Sequence, residues 1–205
     1  MLLVALRRNL LLAIALATGV AGCTAVQKTN VLPSILRKDV LTDAQNAIAQ
    51  TQINHGELTI EGSVDRADTT YDTGQPIGFT VKTNKDAHVA ILRVLPNGDT
   101  TLLFPNGAHP KSDIAANAPL TVPAPDDAVK VNAPDKSGIV LFLFVASSAG
   151  DSWLFKRKPD KDSDFADLGV TSRAIARDIV NSLKVGKGPE TAAMYVTIRV
   201  GGGLF

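Results

Sequence analysis

Apolar residues recur at every second position in short segments of this 205-residue chain, and this alternation limits it to a β-rich fold. In a strand, successive side chains point to opposite faces, so each such segment has one apolar face to bury. Two segments, 88–95 and 139–146, are apolar on both faces, which is typical of central strands. The pattern predicts strands at 57–61, 77–82, 88–95, 100–104, 120–122, 129–131, 139–146 and 194–200.

Two helices and one hairpin complete the expected elements. Pro96-Asn97-Gly98-Asp99 supplies turn residues between two strands and predicts a hairpin. A stripe of Ile175, Ile179, Val180 and Leu183 predicts a helix after a Thr171 cap, ending at Gly186. Apolar residues at helical spacing over 40–48 predict a short earlier helix, capped by Asp39.

These elements predict a mainly β fold, an antiparallel β-sandwich of about eight strands. One helix in the C-terminal region is expected at an edge of the sandwich, and a short N-terminal helix precedes the strands. The expected organisation is a leader at 1–22, a tether with its lead-in helix at 23–54, and the sandwich at 55–205.

The composition limits the classes of function that the chain can have. Hydrophobic residues make up 45% and charged residues 20% of the chain, as in ordinary globular domains. Removing Arg7 and Arg8 with the leader leaves 19 of the 21 basic side chains against 20 acidic ones, a net charge of −1. A chain with this balance gives no electrostatic basis for nucleic-acid binding.

The N-terminal segment has the order of a secretory signal. Arg7 and Arg8 precede an apolar run at 10–17, and small residues follow it. The run is shorter than the roughly 20 apolar residues that a membrane-spanning helix needs. We therefore expect a cleaved leader and an exported protein.

Val20-Ala21-Gly22-Cys23 resembles the lipobox of bacterial lipoproteins, although Leu is more usual in the position of Val20. The resemblance implies cleavage before Cys23, which would carry a covalent diacylglycerol and an N-acyl lipid. Thr24, in place of the aspartate that retains such proteins at the inner membrane, implies an outer-membrane address facing the periplasm. The alternative is an ordinary signal peptide with Cys23 as a free thiol; as the only cysteine, it forms no internal disulfide.

A second resemblance covers residues 57–148. A Tyr71-x-x-Gly74 turn, an apolar strand at 87–92 and the segment Leu103-Phe104-Pro105-Asn106 (LFPN) are similar to the domain of unknown function 4384 family. The resemblance implies a β-rich extracytoplasmic or accessory module. That family has no assigned catalytic residues, so it implies none in this chain.

The remaining candidates for chemistry are few. The three histidines, His55, His88 and His109, lack metal-ligand spacing, so we expect no metal site, no catalytic group and no cofactor beyond the lipid. We interpret His88 as a rim or satisfied core residue, and His109 follows a turn in the sequence near Asp113. Aromatic residues beside cations are enriched at binding surfaces, although core packing is the competing interpretation. The expected partner surface consists of Trp153, Phe155, Lys156, Arg157 and Lys158.

The sequence thus favours a non-enzymatic binding or assembly module attached to the membrane by a lipid, with an envelope or secretion-complex protein as partner. Two alternatives stay open. A hydrolase of envelope polymers would need carboxylates brought together in a deep cleft. A structural spacer lipoprotein would need no dedicated pocket.

Overall fold

The computed structural model describes residues 41–169 and 172–201 and confirms a mainly β chain. Within these residues, ten strands form sheets of seven and three strands, accompanied by three short helices. The strands are β1 Ile60–Val64, β2 Thr70–Tyr71, β3 Phe79–Thr83, β4 Ala87–Val94, β5 Thr100–Phe104, β6 Asp113–Ile114, β7 Leu120–Val122, β8 Gly138–Ser147, β9 Ala166–Asp167 and β10 Thr191–Val200. The helices are α1 Asp43–Ala49, α2 Trp153–Lys156 and α3 Ser172–Ser182.

The larger sheet has the order β2-β10-β8-β4-β5-β9, with β6 paired to the start of β4. Its strands are antiparallel except for the short β2–β10 pair, which is parallel. β8 pairs with β10 over all ten of its residues and with β4 over seven. The two segments that are apolar on both faces, β4 and β8, are therefore central, as predicted.

The smaller sheet, β1-β3-β7, covers one face of the larger one and encloses the first core. Phe79 of β3 meets Phe142 of β8 edge-on, with 4.8 Å between ring centroids. Gly62 of β1 lies against the Phe144 ring, where a Cβ atom would come within 2.9 Å of the ring carbons. This close approach explains why a glycine occupies the middle of a strand.

The three helices cover the opposite face of the larger sheet and enclose a second core. Leu141, Leu143 and Val145 of β8 contribute to this core, while Phe142 and Phe144 contribute to the first. The expected position of the C-terminal helix at a sandwich edge was wrong. A sheet with two apolar faces must cover both, so the helices form a third layer rather than an edge cap.

Several boundaries differ from those predicted. The first strand begins at Ile60 because side chains replace the ladder before it: Asn84 Oδ1 accepts a hydrogen bond from Thr59 N at 2.7 Å. Val129 and Val131 are buried, but segment 129–131 is not a strand: next to it the structure has an isolated bridge between Pro76 and Asn132, with the Ile77 amide donating to the Val131 carbonyl at 2.8 Å.

Thr42 caps α1 through a capping box with Gln45, so the helix begins at Asp43 and later than expected. Asp39 and Thr171, the caps that the sequence suggested, lie outside the described residues.

Gln45 fastens α1 to the larger sheet. Its side chain is fully buried, and Nε2 donates to the carbonyl oxygens of Val94 at 3.2 Å and Ile139 at 2.7 Å. Its Oε1 accepts from the Thr42 amide at 3.1 Å. One amide group therefore satisfies carbonyls at the ends of two central strands and the start of a helix.

Replacing this side chain should destabilise the fold. Gln45→Ala leaves two strand carbonyls and the Thr42 amide without these partners, and we expect a loss of about 2–4 kcal/mol in the free energy of unfolding. Chemical denaturation of the full-length chain, followed by circular dichroism, measures it. The matched variant Gln52→Ala, at an exposed residue, should change stability by less than about 0.5 kcal/mol. Equal losses in the two variants would contradict the anchoring role of Gln45.

Candidate functional site

The segment 153–158, which sequence analysis singled out as a partner surface, forms α2 and the residues after it. The side chain of Ser152 caps α2 by accepting from the Leu154 amide at 3.2 Å. Lys156, Arg157 and Lys158 are exposed and Trp153 is half-buried.

Phe155 packs in the core, which is the competing interpretation of this aromatic pair. Its side chain is only 4% exposed, and its ring lies 5.8 Å from the His88 imidazole within the second core. Successive residues of a helix are about 100° apart, so Leu154 and Phe155 both turn towards the sheet, whereas Trp153 stays at the rim. The exposed part of the surface is therefore Trp153, Lys156, Arg157 and Lys158.

A small groove runs beside this segment. It has a volume of about 170 Å³ and combines three apolar residues with opposite charges. The Arg157 guanidinium donates to the Asp160 carboxylate at 3.4 Å and to the Asp167 carbonyl at 3.5 Å. We call this the α2 groove, and it is lined by Trp153, Arg157, Leu168, Ile175 and Asp178.

The charged run at 156–167 folds back on itself. Asp160 organises it: one carboxylate oxygen accepts from the Asp167 amide at 2.6 Å, and its own amide donates to the Phe165 carbonyl at 3.1 Å. The run therefore has a defined shape beside the α2 groove, although most of its charged side chains remain exposed.

A second cleft, of about 300 Å³, opens at the N-terminal end of β4. Asp86, His88, Asp113 and Ser148 contribute polar groups to it. His88 Nδ1 lies 3.1 Å from Ser112 Oγ, which confirms the interpretation of this histidine as a satisfied residue at the core's rim. Asp86 Oδ1 accepts from the Ala116 amide at 2.8 Å, so one of the two carboxylates already has a structural partner.

The LFPN segment ends β5 and shapes the loop that follows. Leu103 and Phe104 are buried in the first core, and the Phe104–Pro105 peptide bond is cis. Asn106 is 1% exposed; its Nδ2 donates to the Leu103 carbonyl at 3.0 Å, and its Oδ1 accepts from the amides of Ala108 and His109. The buried amide group thus fixes the loop up to His109.

His109 pairs with Asp127. Its Nδ1 lies 3.1 Å from Asp127 Oδ2, which also accepts from the Ala124 amide at 2.7 Å. The pair joins the LFPN loop to the loop after the cis Val122–Pro123 bond. Eighteen positions separate the two residues, and no sequence signal indicated that they meet.

A histidine oriented by a carboxylate can act as a base or as a metal ligand. Either role needs further groups beside it. Among the described residues, no group of three or more His, Cys, Asp or Glu side chains is placed to hold a metal ion.

Tyr71, which begins the Tyr71-x-x-Gly74 turn, takes part in a hydrogen-bonded cluster at the other end of the first core. The buried Tyr71 side chain donates its hydroxyl to Asp65 Oδ1 at 2.6 Å, and the same oxygen accepts from the Gly78 amide at 3.0 Å. Burial, with the Asp65 carboxylate, raises the pKa of the Tyr71 phenol well above its ordinary value. Gly74 has φ +72°, a left-handed conformation that favours glycine at the turn.

Comparison with known families matches residues 70–149 to the profile described as Domain of unknown function (DUF4384). Residues 70–149 are a DUF4384 domain. The domain contains β2 to β8, and with them the LFPN segment and the His109–Asp127 pair. No curated protein and no solved structure matches the chain.

The DUF4384 domain accounts for only part of the fold. β1, β10 and all three helices lie outside its bounds, so both outer layers depend on flanking sequence. The α2 groove is formed entirely by residues that follow the domain.

The lipobox residues Val20, Ala21 and Gly22 and the lipid-bearing position Cys23 lie outside the described residues. Within the described part of the chain, no helix combines the length and the hydropathy needed to cross a bilayer.

Asn106 offers a test of the LFPN loop. Asn106→Ala leaves the Leu103 carbonyl and two loop amides without these partners, so the free energy of unfolding should fall by about 2–4 kcal/mol. Denaturation of the full-length chain measures the change. Asn132→Ala, at an exposed asparagine, serves as the matched control and should lie within about 0.5 kcal/mol of the wild type. A loss below about 1 kcal/mol for Asn106→Ala would show that the backbone holds the loop by itself.

Proposed function

We propose that this chain is a lipoprotein of the outer membrane, anchored through lipids on Cys23 and facing the periplasm. Its folded part is a non-enzymatic binding or assembly module of the cell envelope. The partner is an envelope or secretion-complex protein, which docks on Trp153, Lys156, Arg157 and Lys158 beside the α2 groove.

The leader supports the anchoring part of the proposal. Basic residues, a short apolar run and small residues precede the single cysteine, in the order that a lipoprotein signal requires. Each buried methylene of an acyl chain contributes about 0.8 kcal/mol, so two or three chains hold a protein at a bilayer without a spanning helix.

The α2 groove is the observation that carries the binding part. A half-buried tryptophan lies beside three exposed cations, and the groove next to it has an apolar lining with Arg157 and Asp178. Tryptophan and arginine, together with tyrosine, are enriched among the residues that dominate binding energy. Such a surface suits a protein partner that supplies an apolar side chain together with an acidic group.

The anchor can be tested by fractionation. Cys23→Ser removes the thiol that would accept the lipid, so the protein should leave the outer-membrane fraction. It should then occur in the soluble periplasm, or as an uncleaved precursor if cleavage depends on the lipid. Thr24→Ser is the matched control and should fractionate like the wild type. An unmodified Cys23 in the mature wild-type protein, detected by mass spectrometry, would overturn the anchor.

The partner surface can be tested in intact cells. A photo-crosslinking amino acid at Lys158 should give a discrete adduct that a second substitution, Trp153→Ala, removes. The same probe at Thr80, exposed on the smaller sheet, is the matched control and should not give that adduct. If the adduct forms equally from both positions, or survives Trp153→Ala, this surface is not the docking site.

A further inference from the structure

A row of cross-strand neighbours on the inner face of the larger sheet changes from apolar to polar as it crosses the sheet. Val196 of β10 lies opposite Phe142 of β8, and Phe142 lies opposite Arg93 of β4. The row continues through Thr101 of β5 to Asp167 of β9. Directly opposite residues project from the same face, so Arg93 shares the face on which Phe142 packs in the first core.

The side chains of this row also become more exposed to solvent from β8 towards β9. Phe142 is fully buried, Arg93 and Thr101 are half-buried, and Asp167 is exposed. Solvent therefore reaches part of Arg93 at the β4–β5–β9 end of this face, although Arg93 lies directly opposite the buried Phe142.

The Arg93 guanidinium is incompletely satisfied. Its Nη2 donates to Thr101 Oγ1 at 3.3 Å, a long hydrogen bond. Its Nε is buried and has no hydrogen-bond partner, and it is the one buried side-chain nitrogen or oxygen of the described residues in this condition. A buried N–H group without a partner has lost its hydration without replacement, which is unfavourable and makes Arg93 an unusual residue in this fold.

The charge of Arg93 is also incompletely balanced. No carboxylate of the described residues forms an ion pair with it. Burial lowers the pKa of the Arg93 guanidinium, and the Asp167 charge only partly opposes that effect. Asp167 is itself engaged, since its Oδ1 accepts from the Gly169 amide at 3.0 Å.

We propose that Arg93 and Thr101 form a binding site for an oxyanion, a carboxylate or a phosphate group. The Nη1 and Nη2 end of the guanidinium presents a planar pair of donors that matches either group, and the Thr101 hydroxyl adds a further donor beside it. A bound oxyanion would balance the part of the Arg93 charge that Asp167 leaves unbalanced. This site lies on the sandwich face of the larger sheet, whereas the α2 groove lies on the helical side, so it is independent of the proposed partner surface.

Solution binding tests the site. The full-length chain in a non-ionic detergent is titrated with sodium phosphate and, separately, with sodium acetate, at an ionic strength held constant with sodium chloride. Isothermal titration calorimetry gives the affinity, and the Nε–H resonance of Arg93 in a nitrogen-15 correlation spectrum gives the location. We expect saturable binding of at least one of the two anions, with a matching shift of that resonance.

Three variants make the test specific. R93K keeps the charge but loses the planar fork, so the affinity should fall by at least about tenfold. T101V keeps the guanidinium but removes the hydroxyl, so it should also weaken anion binding. It keeps the test decisive if R93K disturbs the fold. R199K changes an exposed arginine of the same sheet and should bind like the wild type.

The outcomes separate the possible sources and the possible failures. Tighter binding of phosphate points to a phosphorylated ligand, and tighter binding of acetate points to a carboxylate ligand. No saturable shift with either anion, or equal affinity in R93K and the wild type, overturns the proposal. Neither result bears on the lipid anchor or on the α2 groove.

Discussion

The fold depends on one strand, β8, being buried on both of its faces. Its ten residues pair with β10 along their whole length and with β4 over seven residues, and almost all of its side chains are buried. Alternate residues enter the two cores, with aromatic rings on one side and aliphatic side chains on the other. Burying one such side chain contributes about 1.5–3 kcal/mol, so a strand of this kind requires covering layers on both sides.

The two covering layers have different origins in the sequence. The DUF4384 domain supplies the central strands β4 and β8, two strands of the smaller sheet and the LFPN segment. The flanking sequence supplies β1, β10 and the helical layer, and with the helices it supplies the α2 groove. The groove is therefore a property of this chain's flanking segments, since the domain alone does not contain its residues.

Polar side chains at the layer boundaries hold specific geometry where apolar packing alone would not. Gln45 joins a helix to two strand ends, and Asn106 closes the LFPN loop. Both are satisfied by several partners, as buried polar groups must be. Arg93 departs from that rule, and the unsatisfied donor on a half-buried cation is what distinguishes it from the two amides.

The sequence by itself determined the β class, the central position of β4 and β8, the hairpin before β5 and the amphipathic α3, because each depends on local periodicity or turn chemistry. It also predicted the lipid anchor, which rests on residues outside those described.

Only the tertiary structure decided that Phe155 is buried while Trp153 reaches the rim, that His109 meets Asp127, and that Arg93 stands in a row with Phe142 and Asp167. These outcomes depend on which strands become neighbours and which helical face turns inward. Such contacts join residues that are distant in sequence, and no local pattern encodes them.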